Sequence, residues 1–182
     1  RAARLPAGDP VRAVLEGRAM ALVYSWDVRW QRDMPPGFTR LAYYRRGFPF
    51  RAQAVASLMG TEDDPRLSVV EYLELTPDVP PARLAGVLRH PVFARAKVLV
   101  VRGLLLLGPD GARALAGAHF PRLERLSVAH QGIGEVGLWA LAGARGFPRL
   151  RELDVGANGI DAEELLAFQR SGLVARLDQF RV

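Results

Sequence analysis

The chain contains no cysteine, so disulfides, thiolate metal sites and cysteine nucleophiles are excluded at once. That absence fits a reducing compartment, and a cytoplasmic location is the expectation. Lysine is nearly missing as well: Lys97 is the single example, and the other 24 of the 25 basic residues are arginine. Histidine is scarce, with only His90, His119 and His130, and no two of them have metal-ligand spacing. No serine stands in a Gly-x-Ser-x-Gly elbow. The longest apolar run, Val98 to Leu107, is broken by Arg102 and Gly103, far short of the roughly 18 residues a membrane helix needs. The first residue is Arg1 rather than methionine, which implies a trimmed or processed chain and leaves a lost targeting peptide open. What remains is the composition of an ordinary globular unit of one or two domains: 182 residues, 49% hydrophobic and 24% charged. Wholesale disorder is excluded.

The unusual feature is charge. The net value is +6 and the isoelectric point near 10.6, which raises nucleic acid or an anionic surface as a partner. Its position narrows that inference. Residues 1–60 hold ten arginines against Asp9, Glu16, Asp27 and Asp33, whereas residues 61–182 are balanced at fifteen of each sign. The excess belongs to the first third alone. With arginine so dominant, some of it reads as coding bias.

The second half repeats itself. Phe120-Pro121-Arg122-Leu123-Glu124-Arg125-Leu126-Ser127-Val128 returns 27 residues later as Phe147-Pro148-Arg149-Leu150-Arg151-Glu152-Leu153-Asp154-Val155. Ile133 matches Ile160 at the same offset; backwards, Leu126 matches Leu99 and Val128 matches Val101. A further copy opens at Leu177, and a weaker one at Val70 with Leu73 and Leu75. Within a unit, Leu-x-Leu or Leu-x-Val alternation predicts a short strand with those side chains inward. A glycine or proline turn and an apolar helical pattern such as Leu138, Leu141 and Ala142 follow. Pro121 and Pro148 close the helical stretch and lead into the next strand. One strand and one helix cannot bury a core alone, but stacked copies can. The expected class is α/β, a solenoid of one short parallel strand and one helix per unit.

These residues resemble a known family. Leu150-x-x-Leu153-x-Val155-x-x-Asn158-x-Ile160 is similar to the leucine-rich repeat consensus with the long helical side of the ribonuclease-inhibitor type. The resemblance covers roughly residues 67–182 and departs at the ladder column, which reads Asp78, Leu104, Gln131 and Asn158. It implies that the turn around Leu104 is held differently.

Residues 1–66 are not repeats. Asp9-Pro10 is a good helix start, with Val11, Val14, Leu15 and Leu22 on one face. Met34-Pro35-Pro36-Gly37 is a turn or linker, Phe38 to Tyr44 a strand, Arg45 to Pro49 a bend and Ala52 to Met59 a short helix. Thr61-Glu62-Asp63-Asp64-Pro65 reads as an exposed acidic turn. Gly8-Asp9-Pro10 and Tyr44-Arg45-Arg46-Gly47-Phe48 resemble the repeat-companion segment of bacterial leucine-rich repeat proteins. That resemblance implies a helical cap over 1–37, a degenerate first repeat over 38–66 and repeats over 67–182.

Catalysis finds little support. Asp63 with Asp64, and Glu163 with Glu164, are sequence neighbours that do not readily face one point. Gly132-Ile133-Gly134-Glu135-Val136-Gly137 has glycines at useful spacing for phosphate, yet lacks the Lys-Ser/Thr ending of a P-loop. Tight turns explain these glycines better. A non-enzyme without cofactor or metal is expected. The stronger candidate is the sheet face pointing away from the core, where the family resemblance places binding residues. These are Tyr72, Glu74 and Thr76; Val98, Val100 and Arg102; Arg125, Ser127 and Ala129; and Glu152, Asp154 and Gly156. The mixture suits a protein partner, whose hot spots favour tyrosine and arginine. The same surface also suits a merely solvated scaffold. The rival is the amino-terminal set Trp26, Arg29, Trp30, Arg32, Arg40, Tyr43, Tyr44, Arg45, Arg46 and Arg51. It interleaves arginine with aromatics as nucleic-acid binders do, and as a cap with an aromatic core and an arginine rim does. A third expectation concerns Leu177, Phe180 and Val182, a last strand whose core residues no following helix covers. Self-association, a further chain or a partner subunit is expected there.

Overall fold

Period-two burial organises the molecule. The computed structural model describes residues 10, 11, 13, 14, 18, 35–45, 48–60, 62–103 and 105–182, with the side chains of 40–49 outside that description. Seven strands form one sheet in chain order: β1 Phe38–Arg45, β2 Phe48–Val55, β3 Tyr72–Thr76, β4 Val98–Val101, β5 Arg125–Ser127, β6 Glu152–Asp154 and β7 Gln179–Arg181. β1 and β2 make an antiparallel hairpin, and every later pair is parallel. Among the described residues from 35 onward the α-helices are α1 Pro81–Val87, α2 Pro91–Arg95, α3 Gly108–Ala116, α4 Gly134–Ala142 and α5 Ala162–Gln169. The chain is therefore an α/β protein with a mostly parallel sheet.

The register is regular. Leu73 pairs with Leu99, Leu99 with Leu126, Leu126 with Leu153 and Leu153 with Phe180, so like side chains lie in one row. The carbonyls of Glu71, Lys97, Glu124 and Arg151 each accept two successive amides from the next strand's start, at 2.7–3.1 Å. Leu73, Leu99, Leu126 and Leu153 are buried, together with Leu84, Leu115, Leu138 and Phe168 from the helices, in one continuous core. Phe93, Phe120 and Phe147 stack along it with ring centres 5.9 and 5.4 Å apart. All of these helices pack on the core side of the sheet.

Helix boundaries follow local chemistry. The His90 ring accepts from the Val92 amide at 3.2 Å to start α2, and Asp161 accepts from the Glu164 amide at 2.8 Å to start α5. Gly137 lets α3 and α4 approach: a Cβ there meets the Ala112 Cβ at 2.9 Å and the Ile133 Cβ at 2.8 Å. Gly132 and Gly134 have φ of 61° and 58°, the left-handed conformation of a tight turn.

Two expectations need correction. The helix over Ala52–Met59 is strand as far as Val55, followed by a 3-10 turn over Ala56–Leu58. Alanine favours helix intrinsically, but Ala52, Ala54 and Ala56 are buried in alternation and the first two pair with Leu73 and Leu75 of β3, and pairing overrides propensity. Val182 is 62% exposed rather than within the core, while Leu177 and Phe180 are partly buried against that core. Val11 and Val14 are helical, as the Asp9-Pro10 start implies, and exposed at 57% and 56%. Leu15 and Leu22 lie outside the described residues.

Candidate functional site

The sheet face opposite the core bears none of the helices α1 to α5, and its side chains fall into two rows fixed by strand register. One row runs Arg51, Tyr72, Val98, Arg125, Glu152, Gln179; the other runs Gln53, Glu74, Val100, Ser127, Asp154, Arg181. Arg102 follows β4, its amide donating to the Leu75 carbonyl at 2.9 Å.

Two charge clusters hold the rows. Arg51 pairs with Glu74, whose other oxygen accepts from the Gln53 side chain at 2.6 Å. The Arg51 guanidinium also covers the Tyr72 ring, 4.6 Å from its centre. Glu74 is thereby only 7% exposed, and neighbouring Val100 only 6%. Both point to this face, yet neither offers much surface. Farther along, Arg125 grips Glu152 through two contacts, 2.8 and 2.6 Å. The hydrogen bond from Arg125 holds the Glu152 carboxyl below the usual carboxylate range, and the same pair raises Arg125. Asp154 accepts from the Ser127 hydroxyl at 3.0 Å and the Gly156 amide at 3.1 Å, and Arg181 donates to the Gln179 side chain at 2.9 Å.

A shallow pocket of about 160 Å³ lies between these clusters, over Val100, Ser127 and Leu153, with Tyr72 on one side and Asp154, Gln179 and Arg181 on the other. Arg102, Arg125 and Glu152 complete the rim, so the pocket collects most of the residues expected on this face. Thr76, Ala129 and Gly156 are half-buried beside it. Gln179 and Arg181 do not stand out in the sequence alone, although the 27-residue offset from Glu152 and Asp154 marks them. Gln53 escapes sequence reasoning because its strand reads as helix.

The amino-terminal set is not assembled by the described residues. Trp26, Arg29, Trp30, Arg32 and Arg46 lie outside them, and Arg40, Tyr43, Tyr44 and Arg45 appear only as backbone of β1. Arg51 belongs to the sheet face. The acidic turn is engaged in ion pairs: Asp63 with Arg95 and Asp64 with Arg66. Among the described residues no three His, Cys, Asp or Glu side chains cluster in a way that could hold a metal ion, and no helix is long and apolar enough to cross a membrane. No protein-family model matches the chain, and no curated protein matches it significantly in sequence.

Proposed function

We propose that the chain is a leucine-rich repeat solenoid that recognises a protein partner through the sheet face opposite its core and carries no chemistry of its own. The observation that carries this reading is the pocket on that face, where Tyr72 and the Arg125–Glu152 pair are held in fixed geometry around a floor of Val100, Ser127 and Leu153. Ordering these side chains in advance lowers the entropy lost on binding. Tyrosine and arginine are also the residues that most often dominate protein interfaces.

The family assignment within this reading rests on spacing. Strand partners in the last three pairs are 27 residues apart. The Asn158 side chain bridges consecutive turns, accepting from the Gln131 and Ile133 amides at 3.0 and 3.2 Å. Asp78 does the same near the start of the array, accepting from the Ser57 amide at 2.8 Å. Residues 38–66 then serve as a degenerate first repeat, with β2 paired to the first regular strand.

A Tyr72→Ala/Arg125→Ala double variant tests the site. Hot-spot residues contribute ~2 kcal/mol or more each, so capture of a partner on immobilised protein should fall at least tenfold. Thermal stability should barely change, because an exposed ion pair contributes under about 1 kcal/mol. Unchanged capture by a folded double variant removes the sheet face as the binding site.

A further inference from the structure

A second surface lies on the helix side. Between α1, α2 and the end of α3 runs an open groove of about 620 Å³. Its floor is aliphatic: Leu88 with the small side chains Ala85, Ala94, Ala114 and Ala118. Its polar rim carries no acid among the described residues and consists of Arg89, Arg113 and His119, with His90 in the wall. A second depression of about 330 Å³ continues from it past Arg89 and His90 to Arg83. No Asp or Glu is among the described residues lining either hollow.

The bland explanation for such cations is compensation of helix C-termini, whose free carbonyls attract positive charge. Here several of those carbonyls already have partners. Gly117 and Ala118 amides donate to the Arg113 and Leu115 carbonyls at 3.0 Å each. Arg89 and His90 amides donate to Gly86 and Val87 at 3.1 and 2.9 Å. Arg113 is paired with Asp110, and Arg83 donates to the Ser57 carbonyl. His90 is consumed in the fold between the Val92 amide and the Glu62 carbonyl. The Arg89 and His119 side chains are both exposed, and neither makes a hydrogen bond or ion pair among the described residues. An apolar trough whose rim offers the unpaired Arg89 guanidinium and the unpartnered His119 ring N–H is complementary to an amphipathic anion.

We propose that this groove binds an acidic peptide segment of a partner protein, one that sets an aliphatic or aromatic side chain on the alanine floor and carboxylates against Arg89 and His119. A nucleic acid fits less well, because no Phe, Tyr or Trp among the described lining residues offers a base a stacking platform. The groove is apart from the sheet face, so its fate and that of the sheet-face site are decided separately.

The test is fluorescence anisotropy with a labelled synthetic peptide of about ten residues, leucine and phenylalanine set among glutamates. Saturable binding is expected, and Arg89→Glu/His119→Glu weakens it by roughly tenfold or more. Arg89→Gln gives a smaller loss in the same direction, and Arg170→Glu, at the far end of α5, leaves affinity unchanged. Replacing the peptide's glutamates by glutamine abolishes binding. Melting curves confirm that each variant is folded. The proposal is overturned by absence of saturation, by equal affinity for the double variant, or by equal binding of the glutamine peptide. It is also overturned if a single-stranded RNA displaces the peptide at lower concentration with the same dependence on Arg89.

Discussion

Asn158 and Gln131 occupy matching positions 27 residues apart, yet only one completes its hydrogen bonds. The Asn158 amide spans two turns, accepting two backbone amides and donating to the Val128 and Val155 carbonyls at 3.0 and 2.6 Å. Glutamine is one methylene longer, and the Gln131 amide folds back on its own loop, donating to the His130 carbonyl at 3.2 Å. Its buried oxygen has no partner among the described residues. The column was legible from the repeat offset, but the direction of each amide was not, since one methylene decides it. Asn158→Ala strands several buried polar groups and should cost about 3 kcal/mol in urea unfolding, whereas Gln131→Met should stay within about 1 kcal/mol. Equal losses would contradict the difference in satisfaction. Backbone strain gives a second test nearby. Ala157 sits at φ 53°, a left-handed conformation that costs a Cβ-bearing residue energy. Ala157→Gly should therefore stabilise the chain by about 1 kcal/mol, seen as a higher urea midpoint at unchanged slope.

At the scale of elements, the regular strands were readable because Leu-x-Leu and Leu-x-Val alternation is a periodic signal. β2 was not, because its buried positions are filled by alanines, which carry little hydrophobic contrast and a strong helix preference. Losing that strand also lost Gln53 from the site and left Arg51 grouped with the amino-terminal set. The loops are tied down by carboxylates. Asp64 starts the 3-10 turn Pro65–Val69, accepting from the Arg66 amide at 2.8 Å. Asp78 joins the loop after β3 to Ser57. The side-chain hydrogen bonds from Arg95 and Arg66 hold Asp63 and Asp64 below the ordinary range. Asp78 is also low: burial pushes it up, but the Ser57 hydroxyl and amide outweigh that. All three titrate lower folded than unfolded, as Glu152 does. The folded state therefore gains from them above an unfolded pKa of about 4, and loses that gain as pH falls through the lower folded values. Melting temperature should decline below about pH 4, and Asp64→Asn/Asp78→Asn should lower it at neutral pH while flattening that decline. A double variant with an unchanged acid profile would show these ties to be energetically idle.

For the molecule as a whole, the charge that stands out in the sequence belongs to residues 1–60, and the strands and helices beyond them carry balanced signs. The structural consequence of the repeats is a sheet in which each strand bonds only to its neighbours in the chain. Stability in such an array is a sum of local contributions and nearest-neighbour contacts, so it need not be uniform. The core is thickest around β4 and β5, where Leu99, Val101, Leu126 and Val128 are buried beneath α3 and α4, each helix burying three residues. It thins toward α5, which buries Phe168 alone, and β7, where only Phe180 is even half-buried. Hydrogen exchange of the 182-residue chain should grade accordingly: α5 and β7 amides exchange first, those of β4 and β5 last. Leu153→Ala should cost about 2–5 kcal/mol locally. Because Leu153 packs between Leu126 and Phe180 in the register, that variant should speed exchange in β7 and β6 far more than in β3. Equal acceleration in all strands would mean that the sheet opens as a single cooperative unit, and the nearest-neighbour description would then fail.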